Sequence, residues 1–382
     1  MKIGILIDEI LPGGVQKAAI EETRYLRKMG HQSELISVRK SSGGYRYEDI
    51  VENVPIKFLS DGFPILNYSL RFPIFNFFST HHITSCIIAP LLKLWNDFDI
   101  IVSHGLFASA IVWSASVSNE KRYLSFMWDP ASYLIKKVYS KKFHFAKPLF
   151  SKLIIPLERT IINGATFILT PSRVHLKTLR NEYHIDERKI KVIYPGCYPI
   201  AKIPEKRGRY LLSFTRWDVT KKPYFLIELV KRLPHAKLIL AGEWTSKADY
   251  QLFLWTIKRE KVSDRVVIIP RLKKSNILEL CSKARVWVYP NFEAFGMSAL
   301  EAAACGCPII MPRGSGVTEL FHDEVGGFFP KEGDIEAYIQ HVSELLSNER
   351  LAWRMGYQAW ETAKSYTWEN HTRILCNVLQ NL

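Results

Sequence analysis

In this 382-residue chain the residues best suited to chemistry gather in Val288–Pro308, which reads VYPNFEAFGMSALEAAACGCP. Two carboxylates, Glu293 and Glu301, stand eight positions apart around Gly296. A strand is expected to end at Tyr289, a loop to run through Phe295 and Gly296, and a helix to start near Ser298 and reach about Cys305. Gly296 permits close backbone approach, and the N–H groups of Gly296, Met297 and Ser298 would face the loop, the geometry of an anion site. The same residues also fit a capping box, Ser298-x-x-Glu301, with Glu293 merely solvated. A second stretch, Ser213–Pro223 (SFTRWDVTKKP), puts Arg216 and Lys221 in a loop after a strand. Arg as a planar fork and Lys as a point charge would together offset a diphosphate without a metal. A solvated basic loop is the plainer alternative. Gly13-Gly14, after the first strand, offers a third backbone approach to phosphate, although two glycines fall short of a full fingerprint.

Such loops need strands to carry them, and short apolar runs alternate with amphipathic stretches nearly throughout, which argues α/β with parallel sheets. Strands are expected at Lys2–Ile7, Glu34–Val38, Ile100–Val102, Arg122–Phe126, Thr166–Thr170 and Val192–Tyr194, with a first helix over Val15–Met29. After the polar stretch Ala201–Arg209 the rhythm restarts. Strands are expected there at Tyr210–Phe214, Lys237–Ala241, Val266–Ile269, Val286–Tyr289 and Pro308–Met311, and a helix over Pro223–Arg232. The restart predicts two Rossmann-like halves joined near residue 200, with ligands at the carboxyl ends of the strands and in the cleft between the halves.

Composition sets the outer bounds. At about 150 residues per domain the length allows two to three domains. An apolar fraction of 47% and a charged fraction of 23% exclude disordered, collagen-like and coiled-coil classes. The 52 basic against 37 acidic residues, a net charge of +15, favour anionic partners. No nucleic-acid motif accompanies that charge. Tyr133–Thr160 concentrates Lys136, Lys137, Lys141, Lys142, Lys147, Lys152 and Arg159 among aromatic residues, and Phe63–Phe78 is a second aromatic-rich stretch. Both suit peripheral contact with an anionic membrane, the bland alternative being a solvated face with core aromatics. The N-terminus MKIGILIDEI is broken by Asp8 and Glu9 and does not read as a signal peptide. No apolar run reaches the roughly 18 residues of a spanning helix. The six cysteines form no CxxC pair, and Cys305 and Cys307 read as packing residues, so a reduced, cytoplasmic location is expected.

At this point the residues resemble the retaining glycosyltransferases of the family 4 type (glycosyl transferases group 1), which have the two-domain GT-B fold. The resemblance covers nearly the whole chain. It is most specific at Glu293-x7-Glu301 within EAFGMSALEAAACGCPII, followed by Gly314, Gly316, Glu319 and Gly326-Gly327. Gly13-Gly14, TPSRVHLKTL at Thr170–Leu179, VIYPG at Val192–Gly196, and Arg216 with Lys221 support it. It implies an acceptor domain over 1–200, a donor domain over 201–366, and a last helix, about 367–382, crossing back to the first domain. The implied reaction moves a hexose from a UDP-, GDP- or ADP-sugar to a glycan or lipid-linked acceptor with retained configuration and no cofactor or essential metal.

The resemblance also assigns roles. Arg216 and Lys221 would hold the donor diphosphate, Glu301 the ribose and Glu293 the transferred sugar. Backbone amides around Phe295, Gly296, Met297 and Ser298 would meet the sugar and distal phosphate, and Arg271 and Leu272 the nucleobase. The family pattern carries a His after the strand Arg122–Phe126, where this chain has Trp128, followed by Asp129 and Pro130. His104 is the nearest polar substitute, so His104, Trp128 and Asp129 are the acceptor-side candidates. Asp97-Phe98-Asp99 spells a metal motif of another glycosyltransferase fold, but it enters the strand Ile100–Val102 at its amino end and reads as polar strand entry. Two rival functions use the same architecture: a non-hydrolysing sugar-nucleotide epimerase, and a catalytically silent sugar-nucleotide-binding partner of another transferase. Transfer to an acceptor separates the first rival, and the presence of Glu293, Arg216, Lys221 and Glu301 speaks against the second.

Overall fold

The structure, a computed structural model, describes the chain except residues 12, 41–50, 52, 69, 71–79, 118–120, 134–146 and 271–273. It divides into two units, Met1–Tyr194 with Trp368–Leu382, and Pro195–Thr367. Each is built on one parallel sheet flanked by helices, a Rossmann-like layer arrangement.

In the first unit the strands are β1 (Lys2–Glu9), β2 (Gln32–Arg39), β3 (Ile56–Phe58), β4 (Ile100–His104), β5 (Tyr123–Phe126), β6 (Phe167–Thr170) and β7 (Ile190–Val192). Their order is β3-β2-β1-β4-β5-β6-β7. β1 lies between β2 and β4 and is apolar on both faces, as a doubly covered parallel strand must be: Ile3, Ile5, Leu6 and Ile7 are all buried. The helix Gly14–Lys28 turns Ala18, Ala19, Ile20 and Leu26 inward. The helix Trp368–Gln380 packs on it, burying Trp368, His371, Thr372, Leu375 and Leu379 at helical spacing.

In the second unit the strands are β8 (Tyr210–Phe214), β9 (Lys237–Ala241), β10 (Val266–Ile269), β11 (Val286–Val288), β12 (Ile309–Ile310) and β13 (Gly327–Phe328), in the order β10-β9-β8-β11-β12-β13. The core strands lie where the apolar runs predict them. β7 is an exception: the 3-10 turn Glu187–Lys189, capped by Asp186, feeds it two residues earlier than the expected Val192–Tyr194. β3 and β13 are edge strands of three and two residues, too short for a period to register.

Asp97 and Asp99 lie at the amino end of β4. The Asp99 carboxylate accepts the Lys2 N–H at 2.8 Å, and Asp97 pairs with Lys57. All six cysteines are free thiols, with Cys305 and Cys307 completely buried. Among the described residues no helix is long and apolar enough to cross a membrane.

Candidate active site

In the second unit the strand order reverses between β8 and β11, and sheets of this kind bind ligands at the carboxyl ends of the strands beside such a point. Both loops singled out in the sequence leave the sheet there. After β8, Trp217 is fully buried and donates its indole N–H to the Ala241 carbonyl at 2.9 Å, which fixes the loop to the end of β9. Gly242, just past that end, has φ +119° and would drive a Cβ to 1.9 Å from the Thr215 carbonyl, so only glycine fits. Asp218 caps the 3-10 turn Val219–Lys221 by accepting the Thr220 N–H at 2.7 Å. That turn delivers Lys221 Nζ to 2.8 Å from Glu293 Oε1, while Arg216 stands exposed on the same loop.

After β11, the buried Tyr289 donates its phenol to the same Glu293 Oε1 at 2.5 Å. Burial, and then the neighbouring Glu293 charge, keep that phenol protonated well above its ordinary range. The backbone pins the Glu293 loop. Its N–H donates to Ser315 Oγ at 3.2 Å, its carbonyl accepts from Gly316 N–H at 3.2 Å, and the Phe295 carbonyl accepts from Val317 N–H at 2.7 Å. Glu293 is thus a positioned carboxylate with about a quarter of its side chain exposed.

Gly296 adopts φ +101°, and a Cβ there would press on Met311 and Val317 at 3.2 and 3.3 Å. It is the N-cap of the helix Met297–Ala304 and brings no side-chain cap bond. Ser298 therefore lies inside the first turn, which corrects the capping-box alternative: the helix begins on a glycine, its leading N–H groups without intrahelical partners. Glu301 sits half-buried one turn beyond Met297. The Phe295 ring is buried, so its backbone is what it can offer a ligand. Arg271 and Leu272 lie outside the described residues.

In the first unit the order reverses between β1 and β4. Gly13 is the exposed, extended N-cap of the helix Gly14–Lys28, and Gly14 opens it. His104, at the carboxyl end of β4, departs from expectation. Its side chain is 0% exposed, its Nε2 meets Glu22 Oε2 at 3.0 Å, and its Nδ1 accepts the Trp128 indole N–H at 3.1 Å. Both ring nitrogens are committed to protein, which corrects the acceptor-side reading of His104. Trp128, 6% exposed and stacked on Phe126, likewise spends its N–H inward. Asp129 is exposed at the following bend.

Glu22 also receives His371 Nε2 at 2.9 Å from the Trp368–Gln380 helix, while His371 Nδ1 donates to the Tyr194 carbonyl at 2.8 Å. Both nitrogens of His371 thus lie within hydrogen-bond distance of protein oxygens. Burial pushes Glu22 up, but the charges and hydrogen bonds of His104 and His371 outweigh it and bring it to about 2. The loop after β5 rests on another buried carboxylate. Glu158 accepts from Ala131 N–H at 2.9 Å and from Tyr183 O–H, and Tyr183 in turn accepts from Ser132 N–H at 3.0 Å. Burial dominates there, and Glu158 rises to about 7.

A cluster the sequence reading missed stands at the end of β1. Asp8 Oδ1 lies 3.2 Å from His81 Nε2 and Oδ2 lies 3.1 Å from His82 Nε2. Burial raises Asp8, but the two histidine hydrogen bonds prevail and hold the carboxyl far below its ordinary range. The His81-His82 pair opening an apolar helix was the available signal. The 73 residues separating it from Asp8 hid the partner.

Comparison with known proteins agrees with this architecture. Residues 12–199 match the family profile described as Glycosyltransferase Family 4, and residues 200–362 the one described as Glycosyl transferases group 1. D-inositol 3-phosphate glycosyltransferases from Mycolicibacterium smegmatis and Mycobacterium marinum are 23% and 22% identical over 226 and 238 residues, 55% and 57% of this chain. The chain spans about half the length of these relatives, 52% and 50%. Over the whole chain the fold is similar to that of Anabaena HepE in complex with UDP and glucose, with TM-score 0.78, 16% identity and full coverage of both chains. It is also similar to sucrose-phosphate synthase from Thermosynechococcus elongatus, with TM-score 0.81, 16% identity and 98% of that chain covered. Staphylococcus aureus TarM in complex with UDP is a further neighbour, with TM-score 0.76, 11% identity and 99% coverage of both chains.

Proposed function

The chain belongs to the family 4, group 1 glycosyltransferases, with two Rossmann-like units of GT-B type, and from that premise we propose that it moves a hexose from a UDP-sugar to a glycan or lipid-linked acceptor, retaining the anomeric configuration. The observation that carries this reading is the 2.8 Å contact of Lys221 with Glu293 at the β8/β11 reversal, beside the amide end of the helix Met297–Ala304. UDP is favoured over other nucleotides because HepE and TarM are described with UDP.

As the anomeric C–O bond breaks, negative charge grows on the departing diphosphate and positive charge on the sugar. Lys221 and Arg216, with the leading amides of the helix, would stabilise the first where it forms, and Glu293 would hold the sugar beside the second. On donor binding Lys221 would exchange its Glu293 partner for phosphate and leave that carboxylate to the sugar. Attack from the same face lets an oxygen of the leaving phosphate take the acceptor hydroxyl's proton, so no protein nucleophile is required, unlike the two-carboxylate retaining glycosidases. Glu301 would bind the ribose, and Arg271 and Leu272 the nucleobase. Gly13 and Gly14 would approach the phosphates, and Asp129 would contact the acceptor.

The test is a thermal-shift panel with UDP, GDP, ADP and dTDP, each with and without EDTA. A ligand at roughly 100 times its Kd adds about 2.7 kcal/mol of stability. The expected result is a shift with UDP alone, of equal size with the chelator. No shift with any nucleotide removes the donor-site reading, and a shift abolished by EDTA removes the metal-free diphosphate.

The proposal extends to a cytoplasmic location with peripheral membrane contact through 133–160. Residues 134–146 of that stretch, and 69 and 71–79 of the aromatic one, lie outside the described residues. In support, the helix Lys147–Asn163 exposes Leu153 and Leu157 beside Lys152 and Arg159, and Ile83, Ile87 and Leu91 are exposed at a four-residue spacing. Replacing Lys136, Lys137, Lys141 and Lys142 by Ser should weaken binding to anionic vesicles at low salt; unchanged binding returns the cluster to an ordinary surface.

A further inference from the structure

The Asp8–His81–His82 cluster has no part in the reaction derived above, and its chemistry is that of a metal chelate. His81 and His82 open the helix Thr80–Ile88, adjacent in sequence, yet both Nε2 atoms point at one carboxylate. One donor atom from each of the three side chains falls within 4.8 Å of the others. The observed N–O separations of 3.1 and 3.2 Å are close to the spacing of about 3.3 Å between ligands bonded at 2.0–2.1 Å to a tetrahedral ion.

The surroundings fix the donors in place. Both imidazole side chains are buried, at 3% and 7% exposure, whereas Asp8 keeps 28%. His82 lies flat on Phe107, with ring centroids 3.6 Å apart and planes 3° from parallel. One turn along, Ser85 Oγ bonds back to the His81 carbonyl at 2.5 Å. Asp8 is set by β1, at the end of a rigid central strand beside the β1/β4 reversal. Three donors held on two regular elements need little reordering to take up an ion.

We propose that Asp8, His81 and His82 form a zinc site in the first unit. Two imidazole nitrogens and one carboxylate suit a borderline cation such as Zn²⁺ and suit Mg²⁺ or Ca²⁺ poorly, since those ions demand six or more oxygens. Three protein ligands leave a tetrahedral ion one position for water or a further donor, and Asp8 is the partly exposed member of the three. The three donors belong to the first unit and the Lys221–Glu293 pair to the second, and neither reading depends on the other.

The test is equilibrium dialysis of the chelator-stripped full chain against Zn²⁺, with elemental analysis, repeated with Co²⁺ for its visible ligand-field bands. The wild type is expected to bind one ion per chain, with Co²⁺ bands showing nitrogen and oxygen ligation. Asp8→Ala and the milder His82→Gln should each weaken binding at least a hundredfold and abolish the bands. Cys86→Ser, one turn from His82, should bind as the wild type does. Far-UV circular dichroism and the metal-free melting temperature identify any variant that has lost its fold, and His82→Gln serves if Asp8→Ala does. Less than one tenth of an ion per wild-type chain, or equal binding by wild type and folded variants, overturns the site. The nucleotide panel reads the donor site, so either proposal can fail alone.

Discussion

The two units treat charge at their carboxyl edges in opposite ways. In Pro195–Thr367, Lys221 and Glu293 pair with about a quarter of each side chain in solvent, and Arg216 is exposed beside them. In the first unit Glu22, His104 and His371 are sealed at 0–1% exposure, every ring nitrogen spent on the protein. A partly exposed ion pair can trade its partner for a ligand at small cost, because water screens each charge during the exchange. A sealed pair cannot, since either charge left alone would lack solvation. Family resemblance put His104 among the candidate site residues, and its burial turns it into scaffold. The same physics separates the two buried glutamates of the first unit. Glu22 has histidines to keep it ionised; Glu158 has neutral donors, and burial drives it toward protonation.

The sharpest way to break this contrast is Glu22→Ala. It strands two histidines and should cost about 3–5 kcal/mol of stability, read from the urea midpoint of the first unit. A cost below about 1 kcal/mol would mean the sealed network is not what holds the helix Trp368–Gln380 in place. Next comes Glu158, whose proton affinity is higher folded than unfolded. Its contribution is fully present below pH 4.5 and is lost as pH rises through about 7, on the order of 3 kcal/mol in all. Glu158→Gln keeps an acceptor for Ala131 and Tyr183 but cannot ionise, so the wild-type-minus-variant stability difference should fall steadily between pH 4.5 and 7.5. A flat difference would place the carboxylate in water. Glu22 has the opposite sign, its contribution present above pH 4.5 and lost as pH falls through about 2.

For the accessible pair, Lys221→Ala should lose at least tenfold in turnover, about 1.4 kcal/mol, with an unchanged melting temperature. A melting shift with wild-type turnover would move Lys221 to the scaffold side of the comparison. The smallest effect is expected from Glu301→Ala: several-fold weaker UDP binding at constant stability, measured by calorimetry. Lost stability with intact UDP affinity would make Glu301 structural.

How much could be read beforehand follows the same division. Tyr210–Phe214, Lys237–Ala241, Val266–Ile269 and the helix Pro223–Arg232 were legible because each is a local apolar run bounded by turn residues. Glu293, Gly296 and Glu301 were legible because one loop and one helix carry them all. Glu22–His371 joins positions 349 residues apart, and Glu22–His104 and Asp8–His81 span 82 and 73, so no local spacing encodes them. The two-residue error at β7 arose where a short 3-10 turn replaced the expected loop.

The docking of Trp368–Gln380 on Gly14–Lys28 has a consequence for biogenesis. A ribosome delivers the helix that buries Glu22 only after the whole of Pro195–Thr367 has emerged. At roughly 5–20 residues per second, the first unit waits on the order of ten seconds or more with that carboxylate and the Trp368 side of its core uncovered. The second unit, contiguous in the chain, can close at once. Translation speed across the second unit thereby sets how long the first is open to chaperones and proteases.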